Sequence, residues 1–432
     1  MGFIVALLLG AGLFYLQTQF SRPTLSEGVV GTFTEDNLPP VVTTLLSQSL
    51  LQTDNRGGFT PQLATSWTSN DESTNYIFKL KKDIYWTDGT LLKAQDLDLS
   101  FQDVQVSAPD DQTISFRLKE SFSPFPNFLT RAVFKKGQKI GVGPYKIKSI
   151  SKDLVFIKKL VLAPQIEGLP VLTIHFYPSE RIAKTALKIG EVESIVGISD
   201  PEDLALDKSF SIYSFADYNR MVTIFYNTQE ETMSDESLRL ALSFAAPSIK
   251  NETEAKTPIS PSSWAFNPNV KDYLDNEEQA KTYIQRVKDI KQKQVVLTST
   301  TSLKNVAEEI VAKWKEQGIN AVARVESGIP QNFQALLISQ KIPSDPDQYS
   351  LWHKLGQTNI SHFSNPRIDK DLEDGRKLKD QEVRKQKYQD FQKVLLDHAP
   401  ATFLYFPKYN SLFIKKKEGE FMKILNMQMV IN

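Results

Sequence analysis

Asp345 and Asp347, in the stretch Ser344-Asp345-Pro346-Asp347, could meet a cationic group on a ligand. A carboxylate removed from water pairs strongly with an ammonium or guanidinium partner. An Asp-Pro turn that merely ends a strand is an equal reading of the same residues. Covalent or metal-assisted catalysis finds less to work with. The four histidines, His175, His353, His362 and His398, show no metal-ligand spacing. No G-x-S-x-G, H-E-x-x-H or glycine-rich phosphate loop occurs, and Gly141-Val142-Gly143 lacks the rest of a dinucleotide fingerprint. The absence of cysteine excludes thiolate nucleophiles, disulfides, Cys-ligated zinc and a lipid on an N-terminal cysteine. The chain reads as a binder, not an enzyme, with no cofactor.

With 51 basic and 51 acidic residues the formal charge is zero. A nucleic-acid binder needs a clear basic excess, so none is expected as a partner. The 432 residues, 41% of them hydrophobic, suffice for two or three globular domains. From Gly2 to Phe20 no residue is charged, which is just long enough to span a bilayer core. Residues 1–21 are therefore expected to form a transmembrane anchor. A cleaved signal is the competing reading, but no basic segment precedes the run and Thr18-Gln19-Phe20 is not a small-x-small cleavage site.

Strand-like and helix-like segments alternate along the rest. Strands are expected at 28–33, 76–80, 113–118, 154–162, 171–177, 319–325 and 333–339. Helical spacing runs over 41–52. Val306, Ile310, Val311 and Trp314 place a helix at 305–317, stopped by Gly318, and Tyr388, Phe391, Val394 and Leu395 place another at 384–397. This alternation produces α/β sheets covered by helices. Proline and polar residues concentrate from Pro247 to Pro268, a connection between lobes or a surface excursion.

Several short segments, in one order, resemble the peptide/nickel/oligosaccharide-type solute-binding proteins of ABC importers (family 5). Pro61-Gln62-Leu63-Ala64-Thr65-Ser66-Trp67 is similar to that family's P-x-L-A-x-S-W. Trp86-Thr87-Asp88-Gly89-Thr90 with Ala94-Gln95-Asp96, Gly141-Val142-Gly143-Pro144-Tyr145 and Ile189-Gly190-Glu191-Val192-Glu193 follow. Tyr226-Asn227-Thr228, Leu238-Arg239-Leu240-Ala241-Leu242 and Asn365-Pro366-Arg367-Ile368-Asp369 complete the series. On their own physics these tags mark scaffold: Trp67 and Trp86 as core anchors, Asp88-Gly89 as a hairpin turn, and Gly143-Pro144 as a close backbone crossing.

The resemblance implies a two-lobed periplasmic-binding-protein fold (type II) that closes by hinge motion. Residues 22–57, 143–240 and 403–432 would form lobe I, 58–142 a small β-rich subdomain attached to it, and 241–402 lobe II. It also implies an extracytoplasmic protein, expected as a monomer, that passes a peptide or similar small solute to an ABC permease; the charge-free run adds the expectation that an N-terminal helix holds it to the membrane. A membrane-tethered sensor or scaffold reusing the fold is the alternative. Ligand contacts are expected from Phe33, Thr34 and Glu35 at the end of the first strand, where the cleft of such a sheet lies, and from Tyr218 and Asn219 before the hinge. Trp264, Trp352, Asn359 and Tyr405 match cleft-facing positions, beside Asp345 and Asp347. Ile342 stands where the family's peptide binders carry the carboxylate that pairs with a ligand's α-amine, so recognition of a free amine is in question.

Overall fold

The computed structural model describes residues 23–54 and 56–429. The expected anchor lies outside these residues, and among the described ones no helix is long and apolar enough to cross a membrane.

Lobe I is built on a seven-stranded sheet. Its order is Phe210–Ala216, Lys408–Ile414, Ser194–Ile198, Thr24–Val30, Val171–Tyr177, Phe156–Pro164 and Tyr145–Asp153. The first strand of the chain lies at the centre, parallel to both neighbours, and buries Leu25 and Val29. Helices Pro40–Leu46 and Glu418–Met429 cover one face through Val42, Leu45, Phe421 and Ile424. Helix Glu180–Lys188 covers the other through Ala183 and Leu187.

Glu27 of the central strand is 2% exposed and accepts a 2.7 Å hydrogen bond from Gln428 on the last helix. Burial lifts its carboxyl from 4.5 to about 7, against the opposing effect of that bond.

The subdomain is a four-stranded antiparallel sheet, ordered Ala64–Ser69, Asn75–Leu80, Thr113–Leu118 and Val104–Asp110. Trp86 is 2% exposed at its core, and Trp67 stacks on Phe78 at 5.8 Å. Asp88 and Gly89 make the expected turn: Gly89 has φ +86 and Asp88 accepts the Thr90 N–H at 2.9 Å. Gly141 and Gly143 lie directly on the end of helix Pro40–Leu46, with the Gly143 N–H donating to the Leu46 carbonyl at 2.9 Å. A Cβ at either glycine would fall inside the Leu45–Leu46 backbone.

Lobe II carries a six-stranded sheet ordered Thr253–Glu254, Ala401–Phe406, Arg220–Tyr226, Ala335–Lys341, Val295–Thr300 and Ala321–Glu326. The expected helices form at Lys304–Glu316 and Gln381–His398. Asp380 caps the second through the Val383 N–H, and Ala399 ends it at φ 43. Trp314 is buried, and its indole N–H reaches the Leu242 carbonyl at 2.9 Å. Arg239 is 3% exposed and donates to the carbonyls of Met233, Ser234, His398 and Ala399 at 2.7–3.1 Å. It thereby takes up carbonyls that the end of helix Gln381–His398 would leave unsatisfied.

The lobe boundaries differ from those expected. Strand Arg220–Tyr226 pairs with Ala335–Lys341 and with Ala401–Phe406 in the second sheet, so the chain changes lobes at 217–219 and at 407. Residues 247–268 stay within lobe II, where Ala255, Ile259 and Ala265 enter its core. Their prolines shape a packed loop and not a linker between lobes.

Two measurements test this. Glu27 has a folded pKa above its unfolded value, so its contribution is full below pH 4.5 and is lost as pH rises to about 7. Denaturation from pH 5 to 8 should show wild type losing about 2–3 kcal/mol relative to Glu27→Gln; a constant difference between the two would refute the assignment. Arg239→Met should cost about 3 kcal/mol or more, read as a lower denaturation midpoint, because several buried carbonyls lose their donor.

Candidate functional site

Two strands cross between the sheets side by side. Phe210–Ala216 pairs with Lys408–Ile414 in lobe I, ending at Ala216 opposite Lys408, and the pairing resumes in lobe II with Val222 opposite Tyr405. Between them the Asp217 N–H donates to the Pro407 carbonyl at 2.9 Å and the Arg220 N–H to the Asp217 carbonyl at 3.1 Å. Pro407 has no N–H to return, so the ribbon is thinnest there.

The turn that carries the two aspartates starts from this crossing, because the Ile342 N–H donates to the Asn219 carbonyl at 2.9 Å. Helices Pro366–Lys377 and Gln381–His398 supply a guanidinium to each aspartate. Asp345 is 1% exposed and accepts from Arg384 at 3.1 and 3.3 Å. The Arg384 Nε donates to the Gly375 carbonyl at 2.8 Å, and its guanidinium lies 5.1 Å from Trp264 and 5.6 Å from Tyr388. Burial pushes the Asp345 carboxyl up and Arg384 draws it back. Burial likewise opposes the Arg384 charge, but Asp345 and Tyr388 together outweigh it and hold the guanidinium above its ordinary range. Asp347 receives the Arg376 Nε at 2.9 and 3.0 Å. That guanidinium lies 4.0 Å from the Tyr349 ring and 5.3 Å from Phe122 of the subdomain.

The subdomain also meets lobe II through backbone. The Ser123 N–H donates to the Arg376 carbonyl at 2.7 Å, Ser121 Oγ to Lys377 at 3.1 Å, and Ser123 Oγ to Leu378. These carbonyls end helix Pro366–Lys377 and would otherwise lack intrahelical donors. Lys379 reaches the Ser69 carbonyl and the Asp71 carboxylate, each at 3.1 Å. Near Trp264, Gly57 sits with its Cα–H directed at Ser263, where an added Cβ would meet the Ser263 backbone at 3.2 Å.

Trp264, Asp345 and Asp347 are thus brought together; Tyr218 and Asn219 stand at the crossing, with Tyr218 edge-on to Phe406 at 5.0 Å. The first strand ends at Val30, not at residues 33–35, because Gly31 turns the chain at φ +130. Phe33 packs on Phe176 at 5.3 Å, and its carbonyl accepts the Ile157 N–H at 2.8 Å. The Thr34 carbonyl accepts the Asn37 N–H at 3.2 Å. Glu35 pairs with Lys152 at 2.5 Å on the wall of an open hollow of about 650 Å3 between lobe I and the subdomain.

Three expected contacts lie inside lobe II instead. Trp352 is fully buried and stacked on Phe225 at 5.6 Å, and Tyr405 is 5% exposed in a sheet strand. Asn359 holds its own loop by donating to the His353 and Phe363 carbonyls at 3.2 and 2.9 Å. Sequence reasoning missed Arg376 and Arg384. Arg384 had a signal: it stands four residues before Tyr388 on the apolar stripe, and a charge on a buried stripe implies a buried partner.

Comparison with known proteins agrees with this architecture. The chain matches the family Bacterial extracellular solute-binding proteins, family 5 Middle, over residues 58–105 and 97–362. It is 23% identical to a probable D,D-dipeptide-binding periplasmic protein of Escherichia coli K12, covering 89% of this chain and 87% of that one. It is also 23% identical to the oligopeptide-binding protein AppA of Bacillus subtilis, over 92% and 87%. Among solved structures, the Listeria monocytogenes ABC transporter substrate-binding protein CtaP superposes with a TM-score of 0.79 at 20% identity, covering 91% of this chain and 94% of that one. The Bacillus subtilis AppA complex with a nonapeptide gives 0.67 at 20% identity, over 91% and 95%. With two sheets crossed by one paired ribbon and the family match running from the subdomain through most of lobe II, the chain belongs to family 5 of the bacterial extracellular solute-binding proteins.

Proposed function

We infer that this protein is the extracytoplasmic solute-binding component of an ABC transporter, taking a peptide or similar small solute between its lobes and delivering it to a membrane permease. The observation that carries this reading is the double crossing at 217–219 and 407. It is a narrow covalent passage between two large cores, the kind of place about which lobes rotate as bodies. The names of the relatives, binders of dipeptides and oligopeptides, support the solute class. The charge-free run at 2–20 supports attachment to the outer face of the cell membrane by an N-terminal helix.

Within this reading Asp345 is a structural carboxylate. Its oxygens are taken by Arg384 and by the Asp347 N–H at 3.0 Å, so a ligand ammonium would have to displace a buried guanidinium. Binding therefore rests on backbone groups and on Trp264, Tyr218 and Asn219 near the crossing, and tolerates a blocked amine. Calorimetric titration with a dipeptide library and its N-acetylated counterparts tests both levels. The expected result is binding of both series to similar affinity, with a smaller radius of gyration in solution scattering on ligand addition. If neither series binds, the solute class is wrong; if free peptides bind and acetylated ones do not, the role given to Asp345 is wrong. Asp345→Asn should lower stability by about 3–5 kcal/mol in denaturant titration, because it leaves Arg384 buried without its charge partner.

A further inference from the structure

The hairpin formed by Tyr145–Asp153 and Phe156–Pro164 ends in three consecutive exposed apolar residues. Leu154 is 89% exposed, Val155 63% and Phe156 45%. Leu154 takes φ 55, a conformation in which Asn or Gly is the unstrained choice and a tip in water has no need of leucine. The two strands and their turn carry five lysines, at 146, 148, 152, 158 and 159, against one acid, Asp153. All five lysines are exposed. Among the described residues, Asp153 of the hairpin pairs with Lys158 at 3.3 Å and Glu35 from outside it with Lys152 at 2.5 Å, while Asp36, Asp88 and Asp98 share a hollow with Lys146 at the base, away from the tip. A chain with no net charge thus concentrates positive charge around its most exposed apolar tip.

We propose that this hairpin is a membrane-contacting element, its Leu154-Val155-Phe156 tip entering the interface of an anionic phospholipid bilayer while its lysines meet the headgroup phosphates. Apolar side chains gain by leaving water for the acyl boundary, long lysine side chains reach back to the headgroups, and anionic lipid attracts each lysine near the surface. The sheet geometry leaves the tip free to do this. His175 is opposite Lys159, so the turn projects beyond the end of strand Val171–Tyr177. The hairpin also occupies the sheet edge farthest from the crossing ribbon. A second copy of the chain is a poor occupant. The edge strand Tyr145–Asp153 is interrupted by register shifts at Ile147/Ser149 and Ser151/Lys152 and studded with lysine, which opposes strand-to-strand pairing. The inference does not depend on which solute the lobes bind.

The absence of cysteine makes the test direct. The full chain carrying Val155→Cys is labelled with an environment-sensitive fluorophore and reconstituted into vesicles of phosphatidylcholine alone or of phosphatidylcholine with phosphatidylglycerol. A second sample carries the label at Ile329→Cys, an exposed apolar residue of lobe II. The expected result is a blue-shifted emission, quenched by nitroxide lipid, for the Val155 label in the phosphatidylglycerol vesicles only. The Ile329 label should stay in water in both. Lys158→Glu with Lys159→Glu should weaken the tip signal at least about tenfold. A Val155 label that remains in water with both vesicles, or that shifts equally in phosphatidylcholine alone, overturns the proposal.

Discussion

At Pro407 and at Asp217–Asn219 two strands leave one sheet and enter another without parting, and the other elements are arranged around that passage. The registers on either side, Ala216 with Lys408 and Val222 with Tyr405, belong to one antiparallel ribbon with a short interruption. Since a backbone polar group without a partner is costly away from water, a chain crossing between two cores does best as a hydrogen-bonded pair. Proline at the interruption removes one donor, which makes the passage the least constrained part of the ribbon. The Asn219 carbonyl then fixes where the turn from Ile342 begins, and with it the placement of both aspartates.

The wall beside the crossing is charged yet locally neutral. Asp345 with Arg384 and Asp347 with Arg376 are two ion pairs whose guanidinium groups lie over aromatic rings. Such pairs return little net energy against well-packed hydrophobic groups, but losing one partner is expensive. Their effect here is geometric: they hold the turn 342–349 against two helices. Arg376 extends this to the subdomain through Phe122, and Ser121 and Ser123 use carbonyls that a free helix end would offer to water. Lobe II therefore meets the lobe I side by the covalent ribbon, by this polar seam and where Gly57 faces Ser263.

Much of this fold was legible in the sequence. Apolar periodicity located Lys304–Glu316 and Gln381–His398 to within three residues, because long amphipathic helices repeat their signal several times. The strand at Thr113–Leu118 alternates and was equally plain. Lobe boundaries were harder. Arg220–Tyr226 is buried at every position after the first and Ala401–Phe406 at every position, and nothing in a buried strand says which of two sheets it joins. The same limit explains Trp352 and Tyr405, large aromatic residues whose types suit a ligand surface and a core equally. The partners of the aspartates lie 29 and 39 residues away along the chain, beyond any local pattern, although the charge at Arg384 on an apolar stripe marked one end of such a pair.

The position of Lys408–Ile414 has a bearing on how the molecule assembles. This strand is not at a margin: it separates Phe210–Ala216 from Ser194–Ile198, and the last helix covers the same core that Thr24–Val30 founds. A chain emerging from its N-terminus can complete the subdomain early, since those four strands are contiguous in sequence. The large sheet must wait for residues nearly four hundred positions downstream of its central strand, and pairing over such separations is slow. A polypeptide that has to thread through a translocation channel before it folds gains from that delay, because the core around its first sheet strand cannot close on a half-exported chain.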